Sequence, residues 1–201
     1  MQQIKVRAEA PDDFRAIDVV NLSAFQGEAE AQLIGELRSS PVFIPDLSLV
    51  AELNGRIVGH VVLSKNLGEK VGSSYYVGFR GNGKDSDIDF KVGNTFEWGL
   101  GFNEILALGP MSVVPSQSHR GIGSELIEAA VARAKPLCFT AIVVAGHPDY
   151  YQRFGFRPAK EWGITCNLPI PDDALSAMEI VTGALADGGQ VEYPELFKAL
   201  F

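Results

Sequence analysis

An α/β fold is what this chain of 201 residues predicts, on three observations. Some short stretches alternate apolar and polar residues or run continuously apolar, as strands do. Others repeat apolar residues at helical spacing, and the two kinds interleave from the N-terminus onward. The composition, with 46% hydrophobic and 21% charged residues, suits a globular protein that buries a substantial core. Residues 1–201 read as one domain.

Residues 4–7 alternate as a short strand. Pro11-Asp-Asp then opens a helix whose Phe14, Ile17 and Val20 share a face, with the proline and the acids at the end that favours them. A second helix is expected over about residues 28–38, where Leu33, Ile34 and Leu37 form the stripe and Ser39-Ser40-Pro41 ends it. Residues 47–53 and 56–63 flank Asn54-Gly55, a dipeptide that readily takes the positive φ angles of a type I′ turn, so they form a hairpin. Residues 66–101 are interrupted by eight glycines between Gly68 and Gly101, which predicts an elaborated hairpin or flap. Its Tyr75, Tyr76, Phe79, Phe90, Phe96 and Trp98 build a private mini-core or line a pocket.

A strand resumes over residues 105–114. Ile122, Leu126, Ile127, Ala130, Val131 and Ala134 then recur at helical spacing until Pro136 stops the helix. Residues 138–145 are a near-continuous apolar run, as in a strand buried on both faces. A short helix follows around residues 149–154, with further strands near Phe156 and over residues 177–181, inside a C-terminal region of strands and tail at residues 157–201.

Seventeen basic against twenty-five acidic residues give a net charge of −8, which disfavours a broad footprint on nucleic acid or an anionic membrane. No segment offers about eighteen uninterrupted apolar residues for a membrane span, and the first residues lack the apolar core of a signal peptide, so a cytoplasmic protein is expected. Cys138 and Cys166 form no CxxC pair, and His60, His119 and His147 show no metal-ligand spacing; reduced thiols and no metal are expected. Cys138 reads as a small core residue, His60 as a polar strand residue and His119 as part of a helix start. His147 reads as half-buried hydrogen-bonding structure or as a base at a strand end.

The most informative stretch is Arg120-Gly121-Ile122-Gly123, set between an apolar strand and an amphipathic helix. Glycine lets the backbone turn tightly and approach an anion, while the helix aims its unsatisfied amides and positive dipole end at the same place. A diphosphate can sit there. The dinucleotide fingerprint is not met, because Glu125 and Leu126 follow Gly123-Ser124, and the Walker Lys-Ser/Thr pair is missing.

Two stretches in sequence carry a family likeness. Residues 111–126, Met-Ser-Val-Val-Pro-Ser-Gln-Ser-His-Arg-Gly-Ile-Gly-Ser-Glu-Leu, and residues 150–156, Tyr-Tyr-Gln-Arg-Phe-Gly-Phe, resemble the strand, pyrophosphate loop, helix and tyrosine-x-x-x-Gly-Phe signature of the GNAT superfamily of acyl-CoA-dependent N-acyltransferases. The order of elements over residues 4–156 also fits, and residues 177–181 look like the family's last strand.

The resemblance implies a GNAT-like central mixed sheet flanked by helices, here with a glycine-rich β insertion. It further implies acetyl-CoA or another acyl-CoA as co-substrate, a primary amine of a small molecule or peptide as acceptor, and no metal. Ser118, His119, Arg120, Gly121, Ile122, Gly123 and Ser124 would hold the diphosphate, and Met111, Ser112 and Val113 would pair with the pantetheine amides like another strand. Arg120 either adds charge there or is a solvated helix-start cation. The family usually has Gln or Arg three positions before the first glycine, where this chain has Ser118, with Gln117 displaced by one.

Tyr151 matches the tyrosine that protonates the departing CoA thiolate. A phenol with a reference pKa near 10 stays protonated at neutral pH and can donate to a thiolate whose acid has a pKa near 8.5. For the base, Glu104 is the nearest acid, either catalytic or a strand-end surface residue, while the more usual alignment places Ala107 there. Self-association as a homodimer stays open. Two other readings are a CoA-binding regulatory module that kept the fold without the chemistry, and a scaffold unrelated to CoA.

Overall fold

A computed structural model describes residues 4–25, 27–66 and 105–201. The flap predicted over residues 66–101, apart from Asn66, lies outside the described residues, as does Glu104.

The chain opens with strand β1 (Ile4–Ala8), a 3-10 turn (Pro11–Asp13), α1 (Phe14–Phe25) and α2 (Ala29–Arg38). The hairpin follows as β2 (Phe43–Leu53) and β3 (Arg56–Lys65), turning on Asn54 and Gly55 with φ of 52° and 75°, the left-handed pair a type I′ turn requires. Then come β4 (Ile105–Val113), α3 (Ile122–Ala134), β5 (Ala141–Ala145), α4 (Pro148–Gln152), β6 (Arg157–Pro158), β7 (Ile164–Cys166), β8 (Leu175–Glu179) and β9 (Gly189–Val191).

Among the described residues seven strands form one sheet in the order β1-β2-β3-β4-β5-β8-β6. Neighbours run antiparallel except β4 and β5, which are parallel. β7 and β9 form a separate parallel pair. The mixed α/β sheet flanked by helices is therefore present, with β8 two residues ahead of its expected start. The strand predicted from Cys138 begins only at Ala141. Cys138 follows the 3-10 turn Lys135–Leu137, adopts a left-handed φ of 62° and is exposed, so its reading as a core residue is wrong.

The period-two alternation of the strands divides the core into two layers. Ile17 of α1 and Leu33, Ile34 and Leu37 of α2 cover Val50, Val62, Ala107 and Val143 on one face. Ile122, Leu126, Ile127 and Ala130 of α3 cover Leu49, Val61, Leu106 and Ile142 on the other. A β-carbon at Gly59 in β3 would lie 3.0 Å from Leu126 Cδ1 and 3.1 Å from Ile122 Cγ2, so the glycine is what lets the first turns of α3 sit so close to the sheet.

One charged cluster is buried with the first layer. Arg38 donates through Nε and Nη2 to the Glu9 carboxylate at 2.8 and 3.0 Å. His60 Nε2 lies 3.4 Å from Glu9 and 3.0 Å from Ser48 Oγ. His60 is fully buried rather than simply a polar strand residue, because its side chain points inward beside a carboxylate that needs partners. Burial pushes the Glu9 carboxyl up, but the hydrogen bonds from His60 and Arg38 outweigh it and hold the group at about 2. Burial pushes the His60 ring down, toward the neutral form, against the pull of Glu9.

Candidate active site

β4 and β5 pair only from Ile105 opposite Ala141 to Leu108 opposite Val144. Beyond that β5 ends, while β4 continues to Val113 along β3. Three residues of β3, Val61 to Leu63, span four of β4, Leu108 to Met111, so β4 bulges at Gly109 and Pro110. Gly109 holds a φ of +135°, which a residue with a β-carbon rarely adopts. The bulge turns β4 away from β5 and, among the described residues, leaves its outer stretch without a partner strand on that side. A cavity of about 680 Å³ occupies the divergence, with Leu108, Pro110, Met111, Ala145, Gly146 and Tyr151 in its walls.

The second half of the site is the entry to α3. Gly121 is the residue before the helix, left-handed at φ 83°, and no side chain caps that end. The amides of the first helical turn, Ile122, Gly123 and Ser124, have no acceptor within the helix and carry the positive end of its dipole. Met111, Ser112, Val113, Ser118, His119, Gly121, Ile122, Gly123 and Ser124 all line a second cavity, of about 500 Å³. Nine of the ten residues expected to hold the diphosphate and pantetheine are thus brought together. Arg120 is exposed and outside that lining.

The cation in the second cavity is instead Arg153, whose guanidinium stacks 4.2 Å from the centre of the Tyr150 ring. Gln117 also lines it, with a buried Oε1 that has no hydrogen-bond partner among the described residues. The side chain displaced by one in sequence therefore still reaches this cavity.

The two cavities share Phe25, Met111 and Tyr150 as walls. Tyr151 stands on the side of the first. Gly155 ends the turn after α4 at φ 92°, which lets Phe156 fold inward to 1% exposure and pack edge-on against the Tyr151 ring, centroids 5.7 Å apart. A β-carbon at Gly146 would come within 2.9 Å of Tyr151 Cε2, so that glycine leaves the ring its place. Burial, with Tyr150 adding to it, pushes the Tyr151 phenol up to about 12. Tyr150 is half-buried and lines both cavities.

The first cavity gains a wall that residues 105–156 do not supply. Phe25 and Glu30 come from α1 and α2, and Tyr193, Phe197 and Leu200 from the C-terminal segment, whose 3-10 turn (Glu195–Leu200) packs against α2. His147 is exposed at the cavity rim as the residue preceding α4, not half-buried within a hydrogen-bond network. Ala107, at the usual place for a base, is fully buried under the first helix layer. Among the described residues no group of three or more His, Cys, Asp or Glu could hold a metal ion, and no helix is long and apolar enough to cross a membrane.

Residues 45–158 match the family model described as an acetyltransferase (GNAT) domain. Two curated relatives from Escherichia coli K12 are similar to the chain. The uncharacterized N-acetyltransferase YhbS is 25% identical over 195 residues, covering 96% of this chain and 98% of that protein. The uncharacterized N-acetyltransferase YjhQ is 27% identical over 162 residues, covering 80% and 74%. Among solved structures, Escherichia coli YhbS in complex with CoA superposes with a TM-score of 0.76 at 23% identity, over 98% of this chain and 93% of that one. A GNAT family acetyltransferase from Brucella melitensis in complex with acetyl-CoA gives 0.66 at 23% identity, over 98% and 99%.

Proposed function

The chain belongs to the GNAT acetyltransferase family, and from that membership and the cleft just described we propose that it transfers an acetyl or other short acyl group from acyl-CoA to a primary amine. The observation that carries this reading is the junction of the two cavities. A helix mouth whose first amides have no acceptor within the helix opens beside a strand edge unpaired among the described residues, Tyr150 stands where the two cavities meet, and the buried Tyr151 phenol lies next to it in the wall of the first. Residues 1–201 act as one domain in it, since Phe197 near the C-terminus packs into the same core layer as Ile17 of α1.

The residues fit the co-substrate. Ile122, Gly123 and Ser124 offer amides to a diphosphate, and Arg153 adds a positive charge. Met111, Ser112 and Val113 offer strand-edge backbone to the pantetheine amides. Acyl-CoA supplies an activated thioester carbonyl.

At that carbonyl the neutral amine nitrogen forms a bond to carbon while the carbon–sulfur bond breaks and its electron pair stays on sulfur. Tyr151 donates its hydroxyl proton to the sulfur, and the nitrogen gives up one proton to solvent. The products are an amide and a free thiol. Tyr151 suits the step because its raised pKa keeps it protonated at every pH where the amine is reactive. Glu104 remains a proposed proton acceptor for the amine.

A CoA-binding module without chemistry is the second reading, favoured by the apolar, fully buried Ala107 at the usual position of the base. Incubating the protein with acetyl-CoA and a range of amines, with free thiol and N-acetyl product both measured, separates the two. Amine-dependent thiol release supports the transferase. Tight CoA binding with no release from any amine supports the module.

A further inference from the structure

The wall of the 680 Å³ cavity facing away from α3 determines what kind of amine can enter. Phe25, Phe197, Leu200 and Phe201 give it an apolar surface, and Phe25 and Phe201 keep 39% and 53% of their area exposed. Large hydrophobic side chains left open beside a concave site mark a place for an apolar ligand. The charged groups there are of one sign. Glu30, half-buried in the first turn of α2, and Asp149 line the cavity, with His147 at the rim and no Lys or Arg among the described lining residues.

Tyr193 backs this wall: it lines the cavity at 2% exposure, and its ring packs edge-on against Phe197 with centroids 5.3 Å apart.

We propose that this wall is the acceptor subsite and that it selects a monoamine with an apolar, aromatic or branched aliphatic body and no carboxylate. The ammonium lies toward Glu30, and the body rests on Phe25, Phe197 and Leu200. A carboxylate on the acceptor would be carried into an apolar cavity whose fixed charges repel it. A polyamine would leave its further ammonium groups against phenylalanine. The inference rests on the transferase reading, since it names the acceptor of that reaction. Glu30 is a positioning residue in it.

The test compares 2-phenylethylamine, isoamylamine, L-phenylalanine and spermidine as acceptors at saturating acetyl-CoA. The kcat/KM for 2-phenylethylamine should exceed that for L-phenylalanine, which has the same ring and an added carboxylate, by about 100-fold or more, and that for spermidine by about 10-fold. Leu200→Ala and Glu30→Gln should each raise KM for 2-phenylethylamine by about 10-fold while the acetyl-CoA Kd stays put. Glu30→Arg should narrow the gap between the two phenyl compounds. A thermal shift of the CoA-loaded protein by 2-phenylethylamine, lost in Glu30→Gln, reads the same subsite without turnover.

Preferred use of spermidine or L-phenylalanine, or an unchanged KM in Glu30→Gln, overturns the subsite and leaves the transferase standing. Thiol release from no amine at all overturns both.

Discussion

The hydroxyl of Tyr150 occupies the space that a β-carbon on Gly123 would fill. The second residue of α3 and the third of α4 are thus fitted to each other across the boundary of the two cavities. Gly123→Ala should push the Tyr150 ring away. The far end of a side chain can move, and alanine favours the helix, so stability should change by less than about 1 kcal/mol. Tyr150 and its stacked Arg153 line the diphosphate cavity, however, so the acetyl-CoA Kd should rise about 10-fold, or about 1.4 kcal/mol. Adding Tyr150→Phe removes the colliding atom and should recover most of the loss. Titration calorimetry on the two variants checks this; equal weakening in both would mean the hydroxyl is not the cause.

Removing the Tyr151 hydroxyl tests the proton donor. Tyr151→Phe keeps the ring packed on Phe156 and should lower kcat by about 100-fold or more with the acetyl-CoA Kd within about twofold. The pH profile carries a second signature. Below the pKa of the amine, kcat/KM should climb about tenfold per pH unit as the free base forms. Because burial lifts the phenol to about 12, the acid form persists through pH 10, and no falling limb from Tyr151 should appear there. A fall centred near pH 9 would assign the proton to another group.

Gly146→Ala presses on the same ring from the other side, through the 2.9 Å approach to Cε2. The ring is held by Phe156 and Tyr150 and is mostly buried, so it has little room to yield. Turnover should fall by about 10-fold or more while acetyl-CoA binding, which uses the α3 entry, changes little. Wild-type kcat in this variant would show that the placement of Tyr151 is not critical.

The parts that were legible in the sequence are those set by local chemistry. Asn54-Gly55 fixes its own turn, the spacing of Ile122, Leu126, Ile127 and Ala130 fixes the buried face of α3, and Gly155 followed by Phe156 fixes how the chain leaves α4. What escaped depends on distant partners. His60 is buried because Glu9, fifty-one positions earlier, reaches it across the sheet with Arg38 behind it. Cys138 lies in an apolar run, yet the turn at Pro136 spends that run's first residues on a surface loop. Arg153 enters the site stacked against the Tyr150 and Phe154 rings, which its place in the sequence does not announce. Glu30 and Tyr193 meet at one cavity only because the C-terminal turn folds back onto α2, which no local spacing announces.

The buried Glu9–Arg38–His60 cluster should make stability depend on pH with a definite sign. His60 has its folded pKa lowered by burial, and Glu9 has its own lowered to about 2 by His60 and Arg38. Both groups therefore hold fewer protons folded than unfolded, so unfolding takes up protons and stability rises with pH. The His60 contribution is complete above its unfolded pKa near 6.5 and is lost as pH falls below it. The Glu9 contribution is complete above about 4.5 and drains away toward about 2. Chemical denaturation from pH 8 to pH 3 should show a plateau above pH 7 and then a decline, each group adding at most about 1.4 kcal/mol per pH unit. His60→Asn should be destabilised at pH 8 yet show a shallower decline between pH 6.5 and 5, because the titrating ring is gone. An unaltered slope in that variant would place the upper part of the decline on another group.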